Sequence, residues 1–220
     1  MKPKRRRKIK WSPGLAYAVG LIATDGSLSV DGYHIILVSK DIQLLKTFKG
    51  ILCLKNKIGS RKSGYTGKKN CYHIQFGDII FYQWLKKIGL KPNKTKTIKE
   101  LKIPNKHFFD FLRGHFDGDG TCYSYWDPRW KSSFMFYTAF ISGRLEHLEW
   151  LKSRINYFLG ITGNISKLSR AVWKLSYPKE KSKILIARMY YKENLPCLKR
   201  KYRKLSRILE VDKIESLSKN

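Results

Sequence analysis

The sequence predicts an α+β protein of two pseudo-symmetric αββαββα repeats, with one helix of each repeat at a central interface and the strands in antiparallel sheets. Two observations predict it. The first is a doubled stretch: Leu15 to Gly26 and Phe109 to Gly120 each read as an apolar helix with a small residue in mid-face, closed by an acid and a glycine. Aligning Gly20 with Gly114 places Asp25 on Asp119 and Gly26 on Gly120. The second is that the hydrophobic patterns following the two stretches come in the same order, as an internal repeat requires.

The elements follow from local chemistry. Residues 1–12 form a basic N-terminal tail, closed by Ser12-Pro13 as helix cap and first-turn proline. In the first repeat, residues 13–104, the doubled helix ends at Gly26, a usual stop signal. Strands at Ser27–Val30 and Tyr33–Ser39 flank the hairpin dipeptide Asp31-Gly32. A helix over Asp41–Leu54 places Ile42, Leu45, Phe48, Ile51 and Leu52 on one face. A second hairpin pairs Lys57–Lys62 with Asn70–Phe76, where Tyr72, Ile74 and Phe76 alternate with Cys71, His73 and Gln75. Ile79–Ile88 is helical, and basic Leu90–Asn105 reads as a linker.

The second repeat, residues 105–210, gives a hairpin of Thr121–Trp126 and Ser133–Ser142 turning at Asp127-Pro128-Arg129. A helix over Arg144–Leu159, a hairpin of Asn164–Leu168 and Ala171–Tyr177, and helices over Lys181–Tyr191 and Leu198–Leu209 follow. Residues 211–220 read as a tail.

Lys+Arg 46 against Asp+Glu 16 gives a formal charge of +30, far beyond what solubility needs, so a polyanion is the natural partner. At 42% hydrophobic and 14% aromatic residues the chain has the material for a core, which excludes a disordered basic tail protein. No long apolar span marks a membrane segment. The four cysteines lack zinc-ligand spacing and read as reduced thiols.

The small residues give the doubled helices their meaning. Ala16, Gly20 and Thr24, like Asp110, Gly114 and Gly118, recur at four-residue spacing, which lets two helix backbones approach. Packed side by side, the helices end together and bring Asp25 and Asp119 close enough to share a divalent metal. Asp110, His115 and Asp117 read as structural, since His115 has no paired histidine at metal spacing.

Both stretches resemble the LAGLIDADG motif of homing endonucleases and related intron maturases. Ala18–Gly26 matches it with departures at Ala23 and Thr24, and Leu112–Gly120 matches it with Asp117 and Asp119 kept. Two copies resemble the monomeric, pseudo-twofold form. The resemblance implies a saddle of strands over double-stranded DNA and Mg²⁺-dependent double-strand cleavage across the minor groove, with short 3′ overhangs. Mn²⁺ or Ca²⁺ would substitute for binding. It implies Asp25 and Asp119 as catalytic acids, and the carbonyls of Thr24 and Gly118 as further metal contacts. It also implies a basic residue after the last strand of each half. Strand alignment puts that residue at Lys179, whereas Asp78 stands in the first half. A polar residue ending the first hairpin falls at Ser39, with Lys40 beside it, and at Ser142.

A two-stranded ribbon fits the major groove, with alternate residues facing the bases. Candidate DNA contacts are Ser27, Ser29, Arg61, Lys62, His73 and Gln75, then Tyr123, Tyr125, Arg129, Lys131, Lys167, Arg170, Lys174 and Ser176. The other readings of the same resemblance are a maturase bound to its host intron RNA and a DNA-binding protein that does not cut. A lysine-rich chain of this kind fits a prokaryotic cytoplasm or expression within an organelle.

Overall fold

The structure, a computed structural model, describes residues 9–62, 67, 70–130 and 133–217. The first half runs α1 (Pro13–Asp25), β1 (Gly26–Leu28), β2 (His34–Ser39), α2 (Ile42–Ile51), β3 (Gly59–Arg61), β4 (Cys71–Gly77), α3 (Ile79–Lys87) and the short α4 (Lys94–Thr97). A 3-10 turn, Asn105–His107, leads into the second half. That half comprises α5 (Phe108–Asp119), β5 (Thr121–Trp126), β6 (Phe134–Ser142), α6 (Leu145–Leu159), β7 (Asn164–Ser169), β8 (Val172–Pro178), α7 (Lys179–Met189) and α8 (Lys199–Leu217). Each half forms a four-stranded antiparallel sheet, in the matching orders β1-β2-β4-β3 and β5-β6-β8-β7.

The centre is the α1–α5 pair. Ser12 accepts a hydrogen bond from the Leu15 N–H at 3.1 Å, and Pro13 opens the helix, as the cap pattern predicts. A Cβ on Gly20 would stand 2.2 Å from the Phe111 carbonyl oxygen, and one on Gly114 would stand 2.1 Å from that of Tyr17. Only hydrogen fits at either crossing point. Ala16 is fully buried in the same helix. One continuous apolar core joins α1, α5 and the inner faces of both sheets.

Both central helices end at the expected glycines, and three other stretches differ from the sequence reading. Gly26 and Gly120 are extended, with φ −84° and −76°, so neither helix ends in a left-handed turn. Their glycines answer crowding: a Cβ at Gly26 would meet Ile22 Cα at 2.6 Å, and one at Gly120 would meet the Phe116 carbonyl oxygen at 2.5 Å. The 90–105 segment is no solvated linker, because Leu90, Ile98, Leu101 and Ile103 are buried in the common core. Ile9 and Trp11 of the basic tail pack on that core, with Trp11 ring against Trp84 at 4.8 Å. Residues 1–8 lie outside the described residues. Finally, α8 continues to Leu217 instead of ending near Leu209, since Asp212 and Glu215 are buried against the start of α7.

Candidate active site

Asp25 and Asp119 are the last residues of α1 and α5, and the packing of those helices carries both carboxyls to one end of the central pair. Burial at the helix junction pushes Asp25 up to about 7, and the nearby Asp119 charge adds to the shift. Burial raises Asp119 as well. Two carboxylates in a partly dry corner disfavour each other as anions.

Two lysines face this pair, and neither was picked out from the sequence. Lys94, on α4, donates to the Thr24 carbonyl at the end of α1. Lys201, on α8, donates to the carbonyls of Phe116 at 2.7 Å, Gly118 at 2.8 Å and Gly120 at 2.6 Å, at the end of α5. Each ammonium therefore caps the C-terminus of one central helix, where the dipole is negative. Burial lowers the pKa of both lysines, against the pull of Asp25 and Asp119.

Two hollows open beside the acids. A cleft of about 280 Å³ is lined by Asp25, Ser39, Lys40, Asp41, Asp117, Gly118 and Arg200, with Val38 and Cys71. A smaller hollow of about 50 Å³ holds Asp119, Thr24, Lys94, Ser142, His115 and His147. Ser39 and Ser142 occupy matching places. Each hydroxyl accepts a backbone N–H at 3.1 Å, from Asp41 and Arg144 respectively, which leaves its proton free to hold a water or phosphate oxygen.

Other polar residues secure the helices. Asp117 accepts from Tyr17 Oη at 2.7 Å and from the Leu198 N–H at 2.6 Å, and burial raises it to about 6. Asp110 is ion-paired with buried Arg113 at 2.9 Å. His115, which has no histidine partner at metal spacing in the sequence, meets His147 with 3.1 Å between their Nε2 atoms, a contact made across 32 residues. The Lys99 carbonyl, 2.7 Å from His147 Nδ1, fixes the proton there, so His147 Nε2 accepts from His115.

Lys179 stands elsewhere. Its ammonium bonds Asp212 at 2.5 Å, Glu215 at 3.0 Å and the Phe134 carbonyl at 3.1 Å, so it joins α7 to α8. The aligned Asp78 caps α3, accepting from the Phe81 N–H at 2.9 Å. The lysines at the acids come one helix later in each half. Lys179→Met removes the cation shared by buried Asp212 and Glu215 and leaves Lys183 on Asp212 at 3.4 Å, and is expected to cost about 3 kcal/mol of stability. Urea denaturation of the variant checks this.

The candidate DNA contacts divide by face. Ser27, His73 and Gln75 lie on the outer face of the first sheet, with Ser29 in its turn and Arg61 and Lys62 exposed at the end of β3. On the second sheet Tyr123, Tyr137 and Tyr125 stack, at 5.2 and 6.4 Å between centroids, and Lys174 lies 5.8 Å over Tyr123. Arg129 is held by Asp127, and Arg170 is exposed in the β7–β8 turn. One residue falls out of the outer face, and another lies on it without being open to solvent. Lys167 pairs with Trp173, whose ring packs on the core, and its ammonium sits 5.4 Å over that ring. Ser176 shares the outer face with Lys174 but is buried there, and its hydroxyl donates to the Asn164 carbonyl at 3.3 Å. Lys131 lies outside the described residues.

Among the described residues no group of three or more His, Cys, Asp or Glu side chains forms a metal-ligand cluster, and no helix is long and apolar enough to cross a membrane. The donors at the acidic corner are two carboxylates and helix-end carbonyls. Such hard oxygens suit Mg²⁺, which keeps several waters of its own, and mutual repulsion of the carboxylates is what a divalent ion relieves. A pH dependence follows. Asp25 titrates near 7 when folded, against an ordinary 3.8. Between those values the folded chain keeps a proton that the unfolded chain releases, so this group's contribution is full below 3.8 and lost as pH rises through about 7. Thermal melts without metal should show stability falling across that window, and added Mg²⁺ should raise Tm more at pH 8 than at pH 5.

The chain has the two-repeat LAGLIDADG fold, with both motif acids at the helix ends. Comparison with solved structures gives this directly. The N-terminal LAGLIDADG domain of DUF199/WhiA superposes with a TM-score of 0.56 at 18% identity, covering 92% of this chain and 91% of that one. The homing endonuclease I-GzeII in complex with its DNA target superposes at 0.64 and 14% identity, covering 95% and 92%. I-SmaMI, bound to an uncleaved DNA target in the presence of calcium ions, superposes at 0.64 and 15% identity, covering 96% and 93%. No protein-family profile matches the chain, and no curated protein sequence does.

Proposed function

We propose that the protein is a site-specific double-strand DNA endonuclease that hydrolyses phosphodiester bonds of a long asymmetric target with Mg²⁺. The observation that carries this is the pairing of Asp25 and Asp119 at one end of the central helices, flanked by Lys94 and Lys201. The DNA-bound structures that share the fold, and the charge of +30, support duplex DNA as the partner.

Asp25 and Asp119 would hold the divalent ions, with the Thr24 and Gly118 carbonyls contributing their second lone pairs. Bound there, Mg²⁺ supplies charge neutralisation at the phosphoryl group and help for the leaving oxygen. The chain's own groups do the rest. Lys94 and Lys201 place fixed positive charge where negative charge grows on the phosphoryl oxygens. Ser39 and Ser142 offer hydroxyl protons that orient water at each hollow. The outer faces of the two sheets differ in sequence, polar in the first and tyrosine-rich in the second, which suits an asymmetric target.

The test is incubation of the full chain with a randomised duplex library and Mg²⁺, sequencing the cut ends, beside parallel reactions with EDTA. Recovery of one long target, cut only with metal, is the expected result. A chain that binds duplex in a salt-dependent way but never cuts with Mg²⁺ or Mn²⁺ overturns the reading.

A further inference from the structure

The two hollows beside the acids are not equivalents, and the difference lies in charge. Matching the halves by Asp25 with Asp119 and Ser39 with Ser142 sets Lys40 against Gly143 and Asp41 against Arg144. Matching Lys94 with Lys201 sets Asn93 against Arg200. The Asp25 cleft thus carries two cations, Lys40 and Arg200, that the Asp119 hollow lacks. The Asp119 hollow holds Lys94, while Arg144, next in sequence to Gly143, is turned onto Glu146.

Arg200 is held ready and exposed. It rises from the first turn of α8, one residue before Lys201, and crosses to the first half, where its Nε and Nη2 make bidentate contact with the Asp41 carboxylate at 2.8–3.0 Å. Its side chain is 63% exposed and that of Asp41 26%. A guanidinium fork engaged by a carboxylate at the mouth of a cleft has the geometry that also fits a phosphate.

We propose that Arg200 exchanges Asp41 for a phosphate oxygen of the DNA strand lying in the Asp25 cleft, and that this strand is cut first. The inference rests on the nuclease reading above and deepens it. Asp41 acts as a resident stand-in for the phosphate. It fixes the fork before DNA arrives and gives it up to a ligand of the same geometry. The strand in the Asp119 hollow, without Lys40 or Arg200, is cut more slowly.

The test uses the recovered target with a different label on each strand, under single-turnover conditions with Mg²⁺. The wild type is expected to cut one strand faster. Arg200→Gln should slow that strand by roughly tenfold or more, as loss of a charge-assisted contact does, and the other by less than about twofold. Asp41→Asn separates this from a mere staple between α8 and α2. It breaks the same ion pair but keeps the cation, so the fast strand should hold its rate or gain. If both variants slow cutting alike, or if Arg200→Gln slows both strands equally, the inference is wrong while the nuclease reading stands. If the wild type cuts neither strand, both fall together.

Discussion

Asp25→Asn and Asp119→Asn are each expected to lower DNA cleavage roughly a thousandfold while leaving duplex binding near the wild-type level. Each substitution keeps the shape of the side chain but removes an anionic oxygen donor from the corner where the central helices end. Binding energy comes chiefly from the phosphate contacts of a chain with formal charge +30, which neither change touches. The same variants should melt higher than the wild type at pH 8 without metal. Asp25 has a pKa raised to about 7 by burial and by Asp119, so removing either charge relieves the other. Added Mg²⁺ should then raise their Tm less than it raises that of the wild type. Cleavage rates, binding isotherms and melts on one set of samples check the three parts together. A variant that loses binding with cleavage would place these acids in the fold instead of the chemistry.

The second large effect is structural. Gly20→Ala and Gly114→Ala are each expected to destabilise the protein by about 3 kcal/mol or more. The atoms in the way are backbone: the Phe111 carbonyl oxygen at 2.2 Å and the His115 nitrogen at 2.6 Å from the Gly20 position, and the Tyr17 carbonyl oxygen at 2.1 Å from the Gly114 position. No rotamer relieves such contacts, so α1 and α5 must separate, and the two acids separate with them. Gly50→Ala is the control. Gly50 sits within α2 with nothing within 4 Å of its Cβ position, and alanine there should stabilise by about 1 kcal/mol. Urea titration of the three variants separates crowding from any general effect of replacing glycine.

The part of the molecule that obeys short-range patterns was legible in the sequence. The doubled helices, the eight strands and their hairpins follow from periodicity, turn residues and the repeat, whereas the β2–β4 and β6–β8 pairings that join the hairpins into sheets do not. Asp25 and Asp119 announced themselves because helix, glycine and acid recur together at fixed spacing. The lysines did not. Lys94 and Lys201 carry no local mark that distinguishes them among 46 Lys+Arg residues. What selects them is where the chain turns after the third helix of each half, at left-handed Asn93 in one case and through the Leu195–Leu198 segment in the other. The placement of Lys179 by strand alignment failed for the same reason. It assumed that the first residue after β8 points to the acids, but the extension of α8 to Leu217 supplies Asp212 and Glu215, which claim that ammonium.

Face assignment shows a similar limit. Alternation correctly grouped Tyr123 and Tyr125 with Lys174, yet Lys167 alternates with core-packed Ile165, and the regular register of β7 sets it beside inward-packed Trp173. The His115–His147 contact was beyond reach because it joins two elements through space, without any spacing rule that links positions 32 residues apart.

On the proposed function, the two helix-end acids form one centre that cuts both strands. End mapping of the cleaved target at nucleotide resolution tests it most directly. Wild type with Mg²⁺ is expected to yield a double-strand break with short 3′ overhangs, the two cuts facing each other across the minor groove. Products cut on one strand only at completion, or with 5′ overhangs, would contradict a single centre built from Asp25 and Asp119.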